Sequence, residues 1–515
     1  MVTRETDQER AARLRDEAYQ ALRAAMPPAN LAAALRCAGR LHAVLPHPGW
    51  LDRNLVLVAF GGGKDSAYTL AFVRAIQLIL DRVHGSTFQL RVATNRHAGM
   101  PRAVLENVDR AYQALRLPDD PACELLLIDG NEVTLFDVDA PQREAVIRRN
   151  RLDILMTGHR TFADGRPTFC NACNLSVINS FGLAASYGTG ADVIITGDSE
   201  QEQRQYARWV NRLARRVAPS AKGGEPAGRS PRPGVGRLLS HLDRVAQVYF
   251  TDIHGPAATG EVADRRVAAD VPERLRFFSI YSDTQYAAGD HLELLTGFLG
   301  FEFDELAFSF TESDCGNPAL MAHLRGLKCE RVFQRSYAEG MVEYVDFALE
   351  LMRKKDFPPE LVEQMRGRYE GPGAMDRMRR SAAAYAQETF GLTEEQLVCM
   401  TYSPFAEKGA GLADYLRREH PALAGRLADL RALLAEEAGE VRGAGAELAR
   451  KLSRISGLEL PQLRVLYRSA VRRPGGGGTG TDVIDAVLAG DPHKAVIRTR
   501  HAKDGPNTFE QISGR

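Results

Sequence analysis

Residues 55–84 constrain the fold more than any other stretch of the chain. LVLVAF (Leu55 to Phe60) is an unbroken apolar run of strand length, GGGKDS (Gly61 to Ser66) follows at once, and AYTLAFVRAIQLIL after it has helical spacing. An apolar run of that length fits a strand buried on both faces, and its passage through glycines into a helix is the start of a βαβ unit. The pattern recurs. FQLRVAT (Phe88 to Thr94), CELLLID (Cys123 to Asp129), LDILMTG (Leu152 to Gly158) and ADVIITG (Ala191 to Gly197) read as further strands, with helical segments such as PRAVLENVDRAYQAL between them. LRFFSIY (Leu275 to Tyr281) resumes the alternation weakly. This order predicts an α/β fold, a parallel sheet covered by helices on both faces.

Flanking segments read differently. Residues 1–50 are predicted to be helical, opening on a capping box from Thr6 to Glu9 and ending in a turn around Pro46 and Pro48. The sheet-forming domain is assigned to residues 51–340. Within it, PSAKGGEPAGRSPRPGVG (Pro219 to Gly236) marks an insertion at about 217–240, too rich in Gly, Pro and Arg to read as a packed element. Residues 341–473 read as a helical C-terminal domain, whose Leu/Ala stripe from Leu412 to Leu434 suits helix packing or a homodimer contact. PGGGGTGTD (Pro474 to Asp482) opens a linker and tail over residues 474–515.

Charge and cysteine usage limit the function classes. Lys plus Arg and Asp plus Glu both number 66 in the 515-residue chain, so no global field recruits nucleic acid or an anionic membrane. A local run, Arg204, Arg208, Arg212, Arg215, Arg216, Lys222, Arg229, Arg232 and Arg237, reads either as phosphate contacts for a tRNA or as a solvated face. No apolar stretch reaches the length of a membrane span, and the charged first twenty residues do not read as a signal peptide. A cytoplasmic location is therefore expected. Seven cysteines are too few for a disulfide framework and are expected as thiols or metal ligands.

The chemistry is concentrated at Gly61–Ser66. Glycines let backbone N–H groups approach phosphate oxygens, and the following helix N-terminus adds unpaired donors and a positive dipole end. Lys64 offers a point charge, Ser66 a hydroxyl, and Asp65 a carboxylate for Mg2+ bridging the phosphates. The spacing is not that of a Walker A loop. It resembles the Ser-Gly-Gly-x-Asp-Ser loop of the PP-loop superfamily, with Gly61 where that family usually has Ser. The resemblance implies a parallel-sheet nucleotide-binding domain that cleaves ATP to AMP and pyrophosphate.

ADVIITGDSEQEQRQYARWVN extends the resemblance to PP-loop enzymes that thiolate tRNA. Thr196 and Gly197 match the end of their Thr-Gly-His-Asn strand, Asp198 and Ser199 replace His-Asn, Glu202 falls at the acidic position and Asn211 at the helix Asn. Cys170 and Cys173, in TFCNACNLSVINSFGLAASYG, are predicted at the mouth of a helix, where thiolates are favoured. Cys315 precedes another helix. The tRNA 2-thiocytidine synthetase group has this motif order, and the resemblance implies that Cys170, Cys173 and Cys315 hold a [4Fe–4S] cluster close to the phosphate loop. Competing readings are buried structural thiols, a catalytic persulfide pair, or zinc completed by His323. Cys329 is a spare ligand, and His159 is read as an acid–base group or, more simply, a core residue.

The expected activity is adenylation of a carbonyl or amide-like oxygen, on a tRNA base or a small metabolite, followed by displacement of AMP. Sulfur from a sulfide or persulfide donor is the first expectation. A C–N ligase or amidotransferase using ammonia or an amine is the alternative.

Overall fold

The computed structural model describes residues 6–197, 204, 208, 234–284, 291–306, 315–354, 357–437, 439, 441–472 and 494–513, leaving aside the side chains of residues 171–174, 494 and 513. The chain is α/β, with a mostly parallel six-stranded sheet and many helices. It divides into a sheet unit of residues 1–141, 176–244 and 266–304, and a helical unit of residues 142–175, 245–265 and 305–515. These units cut across the segments drawn from the sequence, since residues 142–175 and 245–265 group with the C-terminal helices.

In the sheet unit, α1 (Asp7–Ala25) begins at the expected capping box. Glu9 N donates to Thr6 Oγ1 at 3.2 Å and Thr6 N donates to Glu9 Oε2 at 2.9 Å. α2 (Pro28–Val44) follows. β1 (Leu55–Ala59) leads into α3 (Lys64–His84), β2 (Gln89–Asn95) into α4 (Arg102–Ala114), and β3 (Cys123–Asp129) turns back at Gly130 into β4 (Glu132–Leu135). β5 (Val193–Ile195) and the short β6 (Arg276–Phe277) complete the order β4-β3-β2-β1-β5-β6, parallel throughout except for the β3–β4 pair.

Side chains show which helix covers which face. Thr94 Oγ1 lies 3.0 Å from the Tyr112 hydroxyl of α4, and Phe60 packs on the same ring. On the other face, Arg91 donates to the carbonyls of Ala184 and Tyr187 at the end of α6 (Gly165–Ser186), both at 2.9 Å. The chain thus steps from β1 to β2 to β3 along one side, and α6 returns on the opposite face to set β5 on the other side of β1. That reversal makes β1/β5 a topological switch point, where open α/β sheets leave a crevice beyond their carboxyl ends.

The helical unit corrects two expectations. Leu152 to Gly158 is not a strand but lies within α5 (Glu144–Arg160), where Leu and Met favour helix and Asp153 turns into the core. Asp153 accepts from Arg265 Nε at 2.9 and 3.0 Å and sits 2.7 Å from His254 Nε2, the last residue of α7 (Val235–His254). Cys170 and Cys173 are not at a helix mouth either. α6 starts at Gly165, with Pro167 in its first turn, and carries both residues inside it.

α8 (Asn317–Leu327), α9 (Tyr337–Lys354) and further helices from Pro359 to Arg468 follow. The tail is not featureless, because β7 (Lys494–Thr499) pairs antiparallel with β8 (Thr508–Ser513). No described helix is long and apolar enough to cross a membrane. Residues 219–233 of the insertion and 474–482 of the linker lie outside the described residues.

Candidate functional site

The turn between β1 and α3 is built on Gly62. Its φ is +77°, and a Cβ there would meet Val104 Cγ1 at 2.7 Å and the Val104 carbonyl oxygen at 3.0 Å. Both the left-handed backbone and the approach of α4 therefore require glycine. Gly63 enters α3 with extended backbone, and no side chain caps the helix. The N-terminus of this 21-residue helix therefore carries no side-chain cap, and its positive dipole end suits an anion.

Two hydroxyls stiffen that turn. Ser66 Oγ donates to the Gly63 carbonyl at 3.0 Å, and Thr69 Oγ1 donates to the Asp65 carbonyl at 3.0 Å while bonding the Tyr281 hydroxyl at 2.9 Å. Lys64 and Asp65 are disposed oppositely. The Lys64 side chain is only 3% exposed and that of Asp65 49%, with Nζ 4.0 Å from the Asp65 carboxylate. Asp65 is the charged group that the loop presents to solvent.

β5 closes on the loop from the other side. A Cβ at Gly197 would lie 3.4 Å from Ser66 N and Cα, so the strand end is already in contact with the first turn of α3. Thr196, just before it, is buried. Gly61 to Ser66, Thr196 and Gly197 therefore come together at the carboxyl edge of the sheet. Asp198, Ser199, Glu202 and Asn211 lie outside the described residues. Ala59 adds to the picture, because it stays partly exposed although its strand is paired on both sides. Solvent therefore reaches the end of β1, in the middle of the sheet.

Sequence reasoning missed Asn95, the last residue of β2. It is 9% exposed, and its Nδ2 and Oδ1 are both buried without a hydrogen-bond partner. Its neighbour Arg96 is bonded through both terminal nitrogens, donating to Asp129 at 2.6 Å and to the Ala140 and Pro141 carbonyls at 2.5 and 2.9 Å, while its Nε has no partner. An Asn closing a strand that also holds Gln89, Arg91 and Thr94 gives no signal in the sequence.

The cysteines belong to the helical unit. Cys170 and Cys315 are buried, while the Cys173 side chain is outside the described residues. A Cβ at Gly165 would lie 2.7 Å from Met321 Cγ, so the first turn of α6 packs against α8, which begins two residues after Cys315. Two cysteine-bearing segments thus meet within one unit, and thiols are suitable donors for zinc or an iron–sulfur cluster. Among the described residues, no group of three or more His, Cys, Asp and Glu is arranged to hold a metal ion.

The two histidines behave as core groups. His323 Nδ1 lies 2.8 Å from the Tyr337 hydroxyl, and burial lowers its pKa to about 4. His159 packs on the Phe405 ring, and burial lowers it to about 3. Both are neutral near pH 7. Of the arginine run, Arg204, Arg208 and Arg237 are described, and all three are exposed. A search of protein-family models finds no match for this chain, and a search of curated proteins finds none either.

Proposed function

We propose that this chain is an adenylating enzyme of the PP-loop type, which splits ATP into AMP and pyrophosphate to activate an acceptor oxygen. One observation carries the reading: an uncapped α3 turn, shaped by Gly62 and touched by Gly197, at the β1/β5 switch point. Phosphate oxygens would take the first-turn N–H groups, held there by the helix dipole. Asp65 would hold Mg2+, which when bound neutralises charge building up on the phosphates. Ser66, tied to Gly63, keeps the turn in its binding shape. Attack of the acceptor oxygen on the α-phosphorus forms the adenylate and releases pyrophosphate; a nucleophile then displaces AMP.

For the second step we favour sulfur, on a tRNA base or a small metabolite in the cytoplasm. The support is the packing of α6 on α8, which gathers the segments of Cys170, Cys173 and Cys315. These three would hold an iron–sulfur cluster, or zinc. The placement of Cys170 deep in a helix supports a second reading, a C–N ligase with structural thiols.

Two measurements test these readings. Phosphorus NMR of ATP turnover should show AMP and pyrophosphate, and ADP with inorganic phosphate would overturn the adenylation. Iron and acid-labile sulfide should accompany the anaerobically purified protein and be lost in Cys170→Ser. A metal-free, fully active protein would leave the ligase.

A further inference from the structure

The carboxyl edge of β2 carries a group that the phosphate loop does not use. Asn95 is nine-tenths buried, yet neither atom of its amide has a partner among the described residues. Burying an amide donor and an amide acceptor together without bonds is costly, and such a group persists where something outside the protein completes it.

Its position can be read from the strands. Thr94 points to Tyr112 of α4, so by alternation Arg91, Ala93 and Asn95 share the opposite face, the one on which Arg91 reaches α6. Ala93 pairs with Ala59, and Phe60 N donates to the Ala93 carbonyl at 2.9 Å. Two residues further, Asn95 is level with Gly61. β5 is in register as well, Val58 pairing with Ile195, which sets Thr196 beside Ala59. The floor of this face is thus Thr196, Ala59 and Ala93, all small, with Asn95 at its rim and Ala59 partly exposed. Small side chains leave room for a flat group lying on the strands.

We infer that Asn95 reads the nucleobase, its amide pairing in two bonds with the adjacent donor and acceptor on the edge of adenine. An Asn amide matches the adenine N6 amino group and a neighbouring ring nitrogen, the same pairing by which Asn recognises adenine in DNA. The inference rests on the phosphate-loop reading and deepens it: α3 takes the phosphates, and the end of β2 takes the base. Asn95 then determines specificity and does no chemistry.

The test measures binding of Mg2+-ATP, Mg2+-GTP and tripolyphosphate to the full chain by calorimetry, together with the melting temperature of the free protein. Asn95→Leu should weaken ATP by about tenfold or more, the low end of a two-bond amide–base contact, and leave tripolyphosphate unchanged. Its free form should melt no lower than wild type, since the substitution removes a buried, unpaired amide. Asn95→Asp keeps the shape but offers only acceptors, so it should lose ATP while losing GTP less, guanine presenting two adjacent donors. Wild-type ATP affinity in both variants, or equal loss of ATP and tripolyphosphate, would overturn the base assignment alone. A wild-type chain that binds neither ATP nor tripolyphosphate would instead overturn the phosphate-loop reading beneath it.

Discussion

The carboxyl edge of the sheet and the contact of α8 and α9 with the C-terminal hairpin treat buried polarity in opposite ways. In the helical unit, Arg325 is almost wholly enclosed and every side of its guanidinium is met: Glu343 at 2.6 Å, Glu510 at 2.7 Å and the Thr499 hydroxyl at 2.9 Å. Lys328 adds a bond to Glu510 at 3.2 Å, and Arg335 one to Glu343 at 2.8 Å. Burial alone would raise the Glu510 carboxyl, but Lys328 and Arg325 outweigh it and hold the pKa at about 2. At the sheet edge, Asn95 is as enclosed as these charges, and its amide has no partner among the described residues. Buried polar groups that find partners inside the chain define architecture; one left open at a strand end beside the Gly62 turn is the group we infer to meet a ligand.

The comparison breaks first at Arg325. Arg325→Ala leaves Glu343 and Glu510 without their shared cation, and losing one partner from a buried ion pair costs about 3–5 kcal/mol. Chemical denaturation of the full chain should register that loss, together with faster proteolysis at the hairpin. An unchanged midpoint would mean that the network is decoration. Asp65→Ala is the matching change at the sheet edge, and it should spare stability because the carboxylate is half exposed. Turnover should fall by about a hundredfold to a thousandfold, the usual cost of one group aimed at developing charge. An active Asp65→Ala variant removes Asp65 from the site.

Gly62→Ala is the next smaller change. Left-handed backbone costs a residue with a Cβ about 1–2 kcal/mol, and contact with Val104 adds to it. ATP binding and stability should fall together. Adding Val104→Ala should restore only the part due to the Val104 side chain, and leave the part due to φ and to the contacts with Val108 and the Val104 carbonyl. Full recovery in the double variant would show that the left-handed backbone costs nothing here.

The sheet was legible because its signals are local and chemical. Leu55 to Ala59 and Leu125 to Ile128 are apolar runs, Leu90, Val92 and Ala93 supply the apolar positions of the stretch between them, and all three segments are strands. Thr196 and Gly197 meet Gly61–Ser66 because parallel strands collect their carboxyl ends on one edge. LDILMTG misled since a short apolar run carries no period, and its Leu and Met serve a buried helix as well as a strand. The hairpin was missed although Asp504-Gly505 is a turn signal, because it follows a glycine-rich stretch. Asn95 could not have been found from sequence at all. An Asn at a strand end is ordinary, and only the coordinates reveal that both its amide atoms are enclosed and unbonded.

The loss per histidine on mild acidification is the smallest expected effect and sharpens the comparison from the other side. His323 and His159 ionise near 6.5 in an unfolded chain, but burial holds them at about 4 and about 3 in the folded protein. Below pH 6.5 the unfolded state therefore binds more protons than the folded one, so stability must fall as pH falls through this window. Each histidine should contribute a loss of about 0.8 kcal/mol between pH 7.5 and 6.0, steepening toward about 1.4 kcal/mol per pH unit below that. Glu510 acts later. Its folded pKa lies below the unfolded value of 4.5, so its contribution is intact above pH 4.5 and disappears as pH drops toward 2. Asn95 does not titrate, and the sheet edge should gain no acid sensitivity from it. Denaturation midpoints at pH 7.5, 6.0 and 5.0 should therefore decline in wild type and decline less steeply in His159→Phe, which fills the same space without a proton site. An identical slope in that variant would mean that His159 finds a bonded or hydrated environment, and that burial alone does not govern it.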